Sequence, residues 1–334
     1  MIKKYPLKFT AFIFFVIFCT LSFFVYLTLG SGSTSSLIEQ MLHREQVIAR
    51  SGAKSIRSLL LASSNSLFIL ARNEKIILPS SQTQILLEQT VNNWLETPLS
   101  QISLIDTKGK VIAAASNQDK ILNLNAVATG RDYFENGLKL PKNGLFVGKP
   151  ILPRLPGLQN KYLIPVSIPV YNQDRITGII MATFYVSDLT SAYLDPLKIS
   201  DQTNIILLDE AGNFLSSVHP EIIGQNIFEY FNNHPFLGDK IIMPMFKEKI
   251  KQGGEQKLDI AIPNLSTGKV TRTLTAFSPI NLGNNKLMLL VTTPVDDALV
   301  FISPYIIRNL LGIIISFFIS IFITLFLFNR YIKN

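Results

Sequence analysis

"ISLIDTKGKVIAAAS", Ile102 to Ser116, returns 103 residues later as "IILLDEAGNFLSSVH", Ile205 to His219, with Asp106 matching Asp209 and Gly109 matching Gly212. Each copy is an apolar, β-branched run, an Asp-x-x-Gly turn and a second such run. That is hairpin chemistry: the aspartate caps the turn and the glycine takes the positive φ. Further strand-like runs follow each copy, "GLFVG", "KYLIPVSIPVY" and "ITGIIMATFYV" after the first, "QKLDIAI", "VTRTLTAFSPI" and "KLMLLVTTP" after the second. The pattern predicts an α+β chain of two tandem antiparallel sheets of one design, with helices on one side of the sheet.

Upstream of the first copy, residues 33–73 contain no proline, and apolar residues recur at helical spacing (Leu37, Met41, Ile48, Leu59, Leu67, Leu70). This predicts one long helix, N-capped within Ser33 to Ser36 and kinked near Gly52. A shorter helix, Thr83 to Leu95, follows "LPSSQ" and carries the single tryptophan, Trp94. Between the second and third strand-like runs, "GRDYFENGLK" predicts one short amphipathic helix.

Two uncharged apolar runs flank this region, Phe9 to Leu29 and Leu310 to Phe328. At ~1.5 Å per residue each spans roughly 30 Å, the thickness of a bilayer core, so both are predicted transmembrane helices. The first exceeds the core of a cleaved signal peptide. Lys3, Lys4 and Lys8 precede the first run and Arg330 and Lys333 follow the second, with no acid beside either group. Basic flanks stay in the cytoplasm, which places both termini inside and residues 30–303 outside. These five residues supply most of the formal +8, so the charge reflects topology and gives no case for nucleic acid. The one cysteine, Cys19, lies in the first run, leaving the exported part without disulfides or thiol ligands.

Catalytic and metal chemistry find no support. His43, His219 and His234 show no ligand spacing, and no Gly-x-Ser-x-Gly, Gly-x-Gly-x-x-Gly or P-loop pattern occurs. Asp296 and Asp297 sit where a helix N-terminus would begin. The expectation is a protein that is not an enzyme, with no cofactor and no metal.

The order of long helix, "LIDTKGKVI", "GRDYF", "LIPVSIPVYNQDRITGIIMATFYVSDL", a second smaller sheet and a return helix resembles the double Cache extracellular sensor domain of bacterial receptors. Such domains occur on chemotaxis receptors, sensor histidine kinases and diguanylate cyclases. The resemblance implies two PAS-like (Cache) modules on a long N-terminal helix between two transmembrane helices. The divisions are a cytoplasmic N-terminus (1–8), a first span (9–29), a long helix (30–77), a membrane-distal module (78–200), a membrane-proximal module (201–303), a second span (304–329) and a tail (330–334). It places a small-molecule pocket in the distal module, beneath the helix carrying Arg131, Tyr133 and Phe134.

The chemistry of those residues suits that role, because a guanidinium forks onto a carboxylate and a tyrosine offers an apolar face with a polar tip. From chemistry alone a second reading stands beside it: Arg131 caps or pairs with Asp132 or Glu135 at the surface, and Tyr133 is ordinary core. Amino-acid-binding members carry a tyrosine after the lid helix and an acid on the strand after the hairpin. Here those positions hold Ile151 and Thr183. Without the acid a buried ammonium would go unpaired, so the ligand expected is a carboxylate or other anion, with Lys149 and Arg154 as further partners. The expected function is a membrane-anchored sensor, a homodimer in contact with lipid, that signals to a separate transmembrane protein. A fragment of a longer receptor and a ligand-free structural module are the competing readings.

Overall fold

The structure, a computed structural model, describes residues 5–94, 97–117, 127–153, 161–233, 239–263, 269–283 and 285–300, with short helical pieces at 311–312, 314–315, 317–318 and 321–322; side chains are described from residue 35 onward. The two apolar runs and their topology thus fall outside the residues described in full. Among the described residues no helix is long and apolar enough to cross a membrane.

Helix α1 runs unbroken from Tyr5 to Ala71, so Ser33 to Ser36 lie within a helix and cap nothing. The apolar run ahead of them is itself helical, and four serines cannot end a helix that continues on both sides. Gly52 serves close approach: a Cβ there would come within 2.7 Å of Leu289 and 2.8 Å of Leu194. Short α2 (Glu74–Ile77) and α3 (Ser81–Asn92) follow, α3 opened by a capping box from Ser80 and Thr83 and ending two residues before Trp94.

The distal sheet comprises β1 (Leu99–Asp106), β2 (Val111–Ser116), then, after α4 (Asp132–Gly137), β3 (Phe146–Val147), β4 (Leu163–Asn172) and β5 (Arg175–Tyr185). Its order is β2-β1-β5-β4-β3, antiparallel throughout. Helix α5 (Val186–Tyr193) leads to β6 (Asn204–Asp209) and β7 (Phe214–Ser216), α6 (Ile227–Asn233), α7 (Asp239–Gln252), β8 (Gln256–Pro263), β9 (Val270–Leu282), β10 (Asn285–Pro294) and α8 (Val295–Val300). The second order, β7-β6-β10-β9-β8, repeats the first strand for strand. Asp296 and Asp297 fall in the first turn of α8, not ahead of it.

The repeated turn works as its residues dictate. Asp106 Oδ1 accepts from the backbone N–H of Lys108 and Lys110 at 2.9 Å, and Asp209 Oδ1 accepts from Ala211 and Asn213 at 2.9 and 2.8 Å. Gly109 and Gly212 hold φ of 85° and 87°.

One hydrophobic core runs along α1 from Ala49 to Ala71. Ala49, Ile56, Leu60 and Leu67 bury against Ile102, Ile164, Ile180 and Ala182 of the distal sheet and Leu207, Ala276 and Val291 of the proximal one. Each large aliphatic side chain so buried contributes about 1.5–3 kcal/mol. The helices are not confined to one side. On the opposite face of the distal sheet Tyr133 and Phe134 of α4 pack on Ile105, Ile179 and Met181, because a six-residue helix with two adjacent aromatics can bury them only by lying flat on a sheet.

Candidate functional site

The face of the distal sheet beneath α4 is set by register. Ile102 and Leu104 point to α1, so Gln101, Ser103 and Ile105 point to α4. Pairing then lines up Gln101, Thr183 and Pro165 in one row, and Ser103, Met181 and Ser167 in the next. Both rows bury hydroxyls: Ser103 and Ser167 are 0% exposed and Thr183 4%. Gln101 donates to Ser103 Oγ at 2.5 Å, while Ser167 Oγ and Thr183 Oγ1 have no hydrogen-bond partner. A buried hydroxyl without a partner costs about 1–3 kcal/mol, which marks the place where a further polar group belongs.

Two glycines let the lid lie close. A Cβ on Gly137 would meet Ile179 at 3.2 Å and Ser167 at 3.3 Å, and one on Gly148 would meet Pro165 at 2.7 Å and Tyr133 at 3.1 Å. Tyr133 therefore sits beside Pro165, one strand from Thr183. Asp132 fixes the lid at its start, Oδ1 accepting from Tyr133 N–H at 2.7 Å and Oδ2 from Lys149 N–H at 2.8 Å.

Arg131 stands at the N-cap of α4, half-buried. Asp132 is occupied by backbone donors and Glu135 accepts from Gly130 N–H at 3.2 Å, so neither pairs with it. Among the described residues its guanidinium has no carboxylate partner. Phe134 is buried in the core under the lid. Lys149 lies elsewhere in function: its ammonium donates to Glu210 at 2.7 Å, across to the β6–β7 turn, and that bond raises its pKa. Beside it, Asn285 Nδ2 donates to the Val147 carbonyl and joins β10 to β3. Ile151 bridges Leu163 and packs under the lid, and Arg154 lies outside the described residues.

The structure thus brings Tyr133 and Thr183 to one face, sets Arg131 at the head of α4 and directs Lys149 to the module junction. Sequence reasoning did not single out Gln101, Ser103 and Ser167. Their signal was the alternation of polar residues through strands that are otherwise apolar. No carboxylate occupies the described strand positions of this face, and no group of His, Cys, Asp and Glu able to hold a metal occurs among the described residues.

The dCache_1 model of the Cache domain matches residues 31–300. The chain belongs to the Cache domain family. Cache domains are extracytoplasmic sensory domains that bind small ligands, and this chain has their fold. No curated protein matches it. Among solved structures it is similar to a domain of a sensory box/GGDEF family protein from Vibrio parahaemolyticus (16% identity, TM-score 0.56, covering 79% of this chain and 98% of that one). The ligand-binding domain of the Pseudomonas aeruginosa chemoreceptor PctB in complex with L-Arg is similar at 14% identity and TM-score 0.53, covering 79% and 97%. The periplasmic sensory domain of the Campylobacter jejuni chemoreceptor Tlp1 gives 18%, 0.50, 80% and 94%. At these identities the likeness establishes the Cache fold alone.

Proposed function

We propose that the protein is a two-pass membrane sensor whose distal module binds a small anion beneath α4, with Arg131 and Tyr133 as contacts, and which signals through its helices to a separate membrane protein. One observation carries the reading: beneath α4 lie two buried hydroxyls without partners and, among the described strand residues, no carboxylate, and Arg131 at the head of α4 has no carboxylate partner among the described residues. An anion would satisfy both charge and hydroxyl donors, whereas the ammonium of a free amino acid would find no acid on these strands. The apolar runs and their basic flanks support the topology, with both termini cytoplasmic and the modules periplasmic or extracellular.

Homodimerisation through α1 has a physical basis in its outer surface. Val47, Leu61 and Ile69 are 43%, 40% and 74% exposed, and at ~100° per residue they fall within roughly an 80° arc. A chain runs from lid to proximal module: Asp132 holds the Lys149 backbone, and the Lys149 ammonium holds Glu210. Ligand that moves α4 would pull on the β6–β7 turn through these two bonds, provided it binds one arrangement better than the other.

The test is thermal unfolding of the full chain in lipid nanodiscs against organic acids, amino acids, amines, purines and sugars, with Arg131→Ala alongside. A ligand at ~100 times its Kd adds about 2.7 kcal/mol, a midpoint shift of a few degrees. The expected result is a shift with an acid that vanishes in the variant. An equal shift in Arg131→Ala would overturn the assignment.

A further inference from the structure

A second cleft opens at the apex of the distal module, on the α1 side of its sheet and away from the lid. It encloses about 230 Å³, just under the roughly 300 Å³ at which drug-sized sites begin, which limits it to a small ligand. Its floor is apolar, from Phe68, Ile77 and Ile168. Two cations, Arg72 and Lys142, stand over that floor, and neither has a carboxylate partner among the described residues.

The backbone is strained where it holds these cations. Asn143 and Gln173 are the two non-glycine residues of positive φ among those described, at 67° and 55°. Arg72 Nη2 donates to Asn143 Oδ1 at 2.9 Å, and Lys142 Nζ donates to the Gln173 carbonyl at 3.2 Å. Gln173 is the first residue of the two-residue β4–β5 turn, where positive φ makes glycine usual. A glutamine there costs roughly 1–2 kcal/mol. Left-handed non-glycine backbone concentrates at ligand sites, where surrounding structure enforces it. In this cleft both instances fall on the residues that position the two unneutralised charges.

We propose that this apex cleft is a second ligand site, distinct from the one beneath α4, that takes a small carboxylate carrying an apolar group. The carboxylate would bridge Arg72 and Lys142, leaving the neutral Asn143 and Gln173 contacts to orient them, while the apolar group would cover Phe68, Ile77 and Ile168.

The test is calorimetric titration of the full chain in nanodiscs with phenylacetate and, separately, its neutral counterpart 2-phenylethanol. Both cations are exposed, so the double variant Arg72→Ala/Lys142→Ala should keep its fold, checked by an unchanged unfolding midpoint. Saturable phenylacetate binding is expected, at least tenfold weaker in the double variant, at least tenfold weaker for 2-phenylethanol, and unchanged in Arg131→Ala. Lack of saturation, less than a tenfold loss in the double variant or for the alcohol, or loss in Arg131→Ala would each overturn the proposal; the last would return the ligand to the lid site.

Discussion

Beneath the distal lid the central row of side chains reads Ser103, Met181, Ser167; at the same register the proximal module places Ile206, Leu290 and Phe277. The strand order and turn chemistry are shared, so the contrast is not one of fold. In the proximal module Phe277 meets Phe246 edge to face at 5.0 Å and Tyr230 meets Phe214 at 6.3 Å, so this row lies in a hydrophobic cluster, while the neighbouring row of the same face, Asn204, Thr292 and Thr275, is polar. In the distal module hydroxyls occupy that space and two of them lack partners. In the central row one copy of the repeat has used the space for apolar packing and the other has kept hydroxyls there at a cost in stability; the neighbouring row holds hydroxyls in both copies, with Thr275 Oγ1 also unpartnered. A repeat lets the two uses be separated, because each copy serves as the other's control.

The largest effect should come from the aromatic row of the proximal module. Phe277→Ala removes a fully buried ring and should cost about 3–5 kcal/mol, read by chemical unfolding of the full chain in detergent. Ser167→Ala, one register equivalent away, loses an unpaired hydroxyl and should cost nothing or stabilise. Equal costs at the two sites would break the comparison.

The contrast continues on α1. Under the distal sheet it offers Leu60 and Leu67; under the proximal sheet it buries Glu45, which is 0% exposed with both carboxylate oxygens unpartnered. Burial pushes its pKa from 4.5 to about 7, offset in part by the nearby Thr293 hydroxyl, which bonds Thr203 at 2.9 Å rather than the carboxylate, and by Arg44. A folded-state pKa above the unfolded one means the protonated form is favoured by folding. The contribution is whole below pH 4.5 and is lost as pH rises through 7. At about 1.4 kcal/mol per pH unit the loss is roughly 3 kcal/mol. Unfolding between pH 4.5 and 8 should show this fall in the wild type and not in Glu45→Gln; matching profiles would remove Glu45 from the account.

What the sequence made legible was the chemistry that acts over a few residues. Asp106 and Asp209 with their glycines announced two hairpins, and the strands after each announced two sheets. The lid residues Arg131 and Tyr133 were legible through a motif. Less legible was whatever depends on register or distance. Ser33 to Ser36 look like caps until the helix on both sides is known. The β-bulge between Leu99 and Gln101 sets which side chains line up beneath α4. Lys149 has the right charge for a ligand partner, but its acid is 61 residues away in the other module. Glu45 reads as a surface residue of an amphipathic helix, and only packing against β10 buries it.

Thr183 sharpens the comparison at smaller scale. Thr183→Val should raise stability by about 1 kcal/mol, since it removes a buried unpaired hydroxyl, and weaken the lid-site anion by tenfold or more, read as a loss of its thermal shift. A stabilised variant with unchanged affinity would make the distal polarity incidental. Gln173→Gly should also gain roughly 1 kcal/mol by relieving its left-handed backbone, measured as a rise in unfolding midpoint.

The smallest effect on stability tests whether the distal copy speaks to the proximal one. Glu210→Gln breaks an exposed ion pair, so its cost should stay below ~1 kcal/mol. Affinity beneath the lid should change less than twofold, because Glu210 lies in the β6–β7 turn and not on that face. Hydrogen exchange carries the discriminating signal: ligand should alter protection in the β6–β7 turn of the wild type, and that change should shrink in the variant while protection around α4 responds as before. Were the proximal change to persist in full, the Lys149–Glu210 link would be a surface ion pair only, and coupling would have to run through α1, the element both modules share.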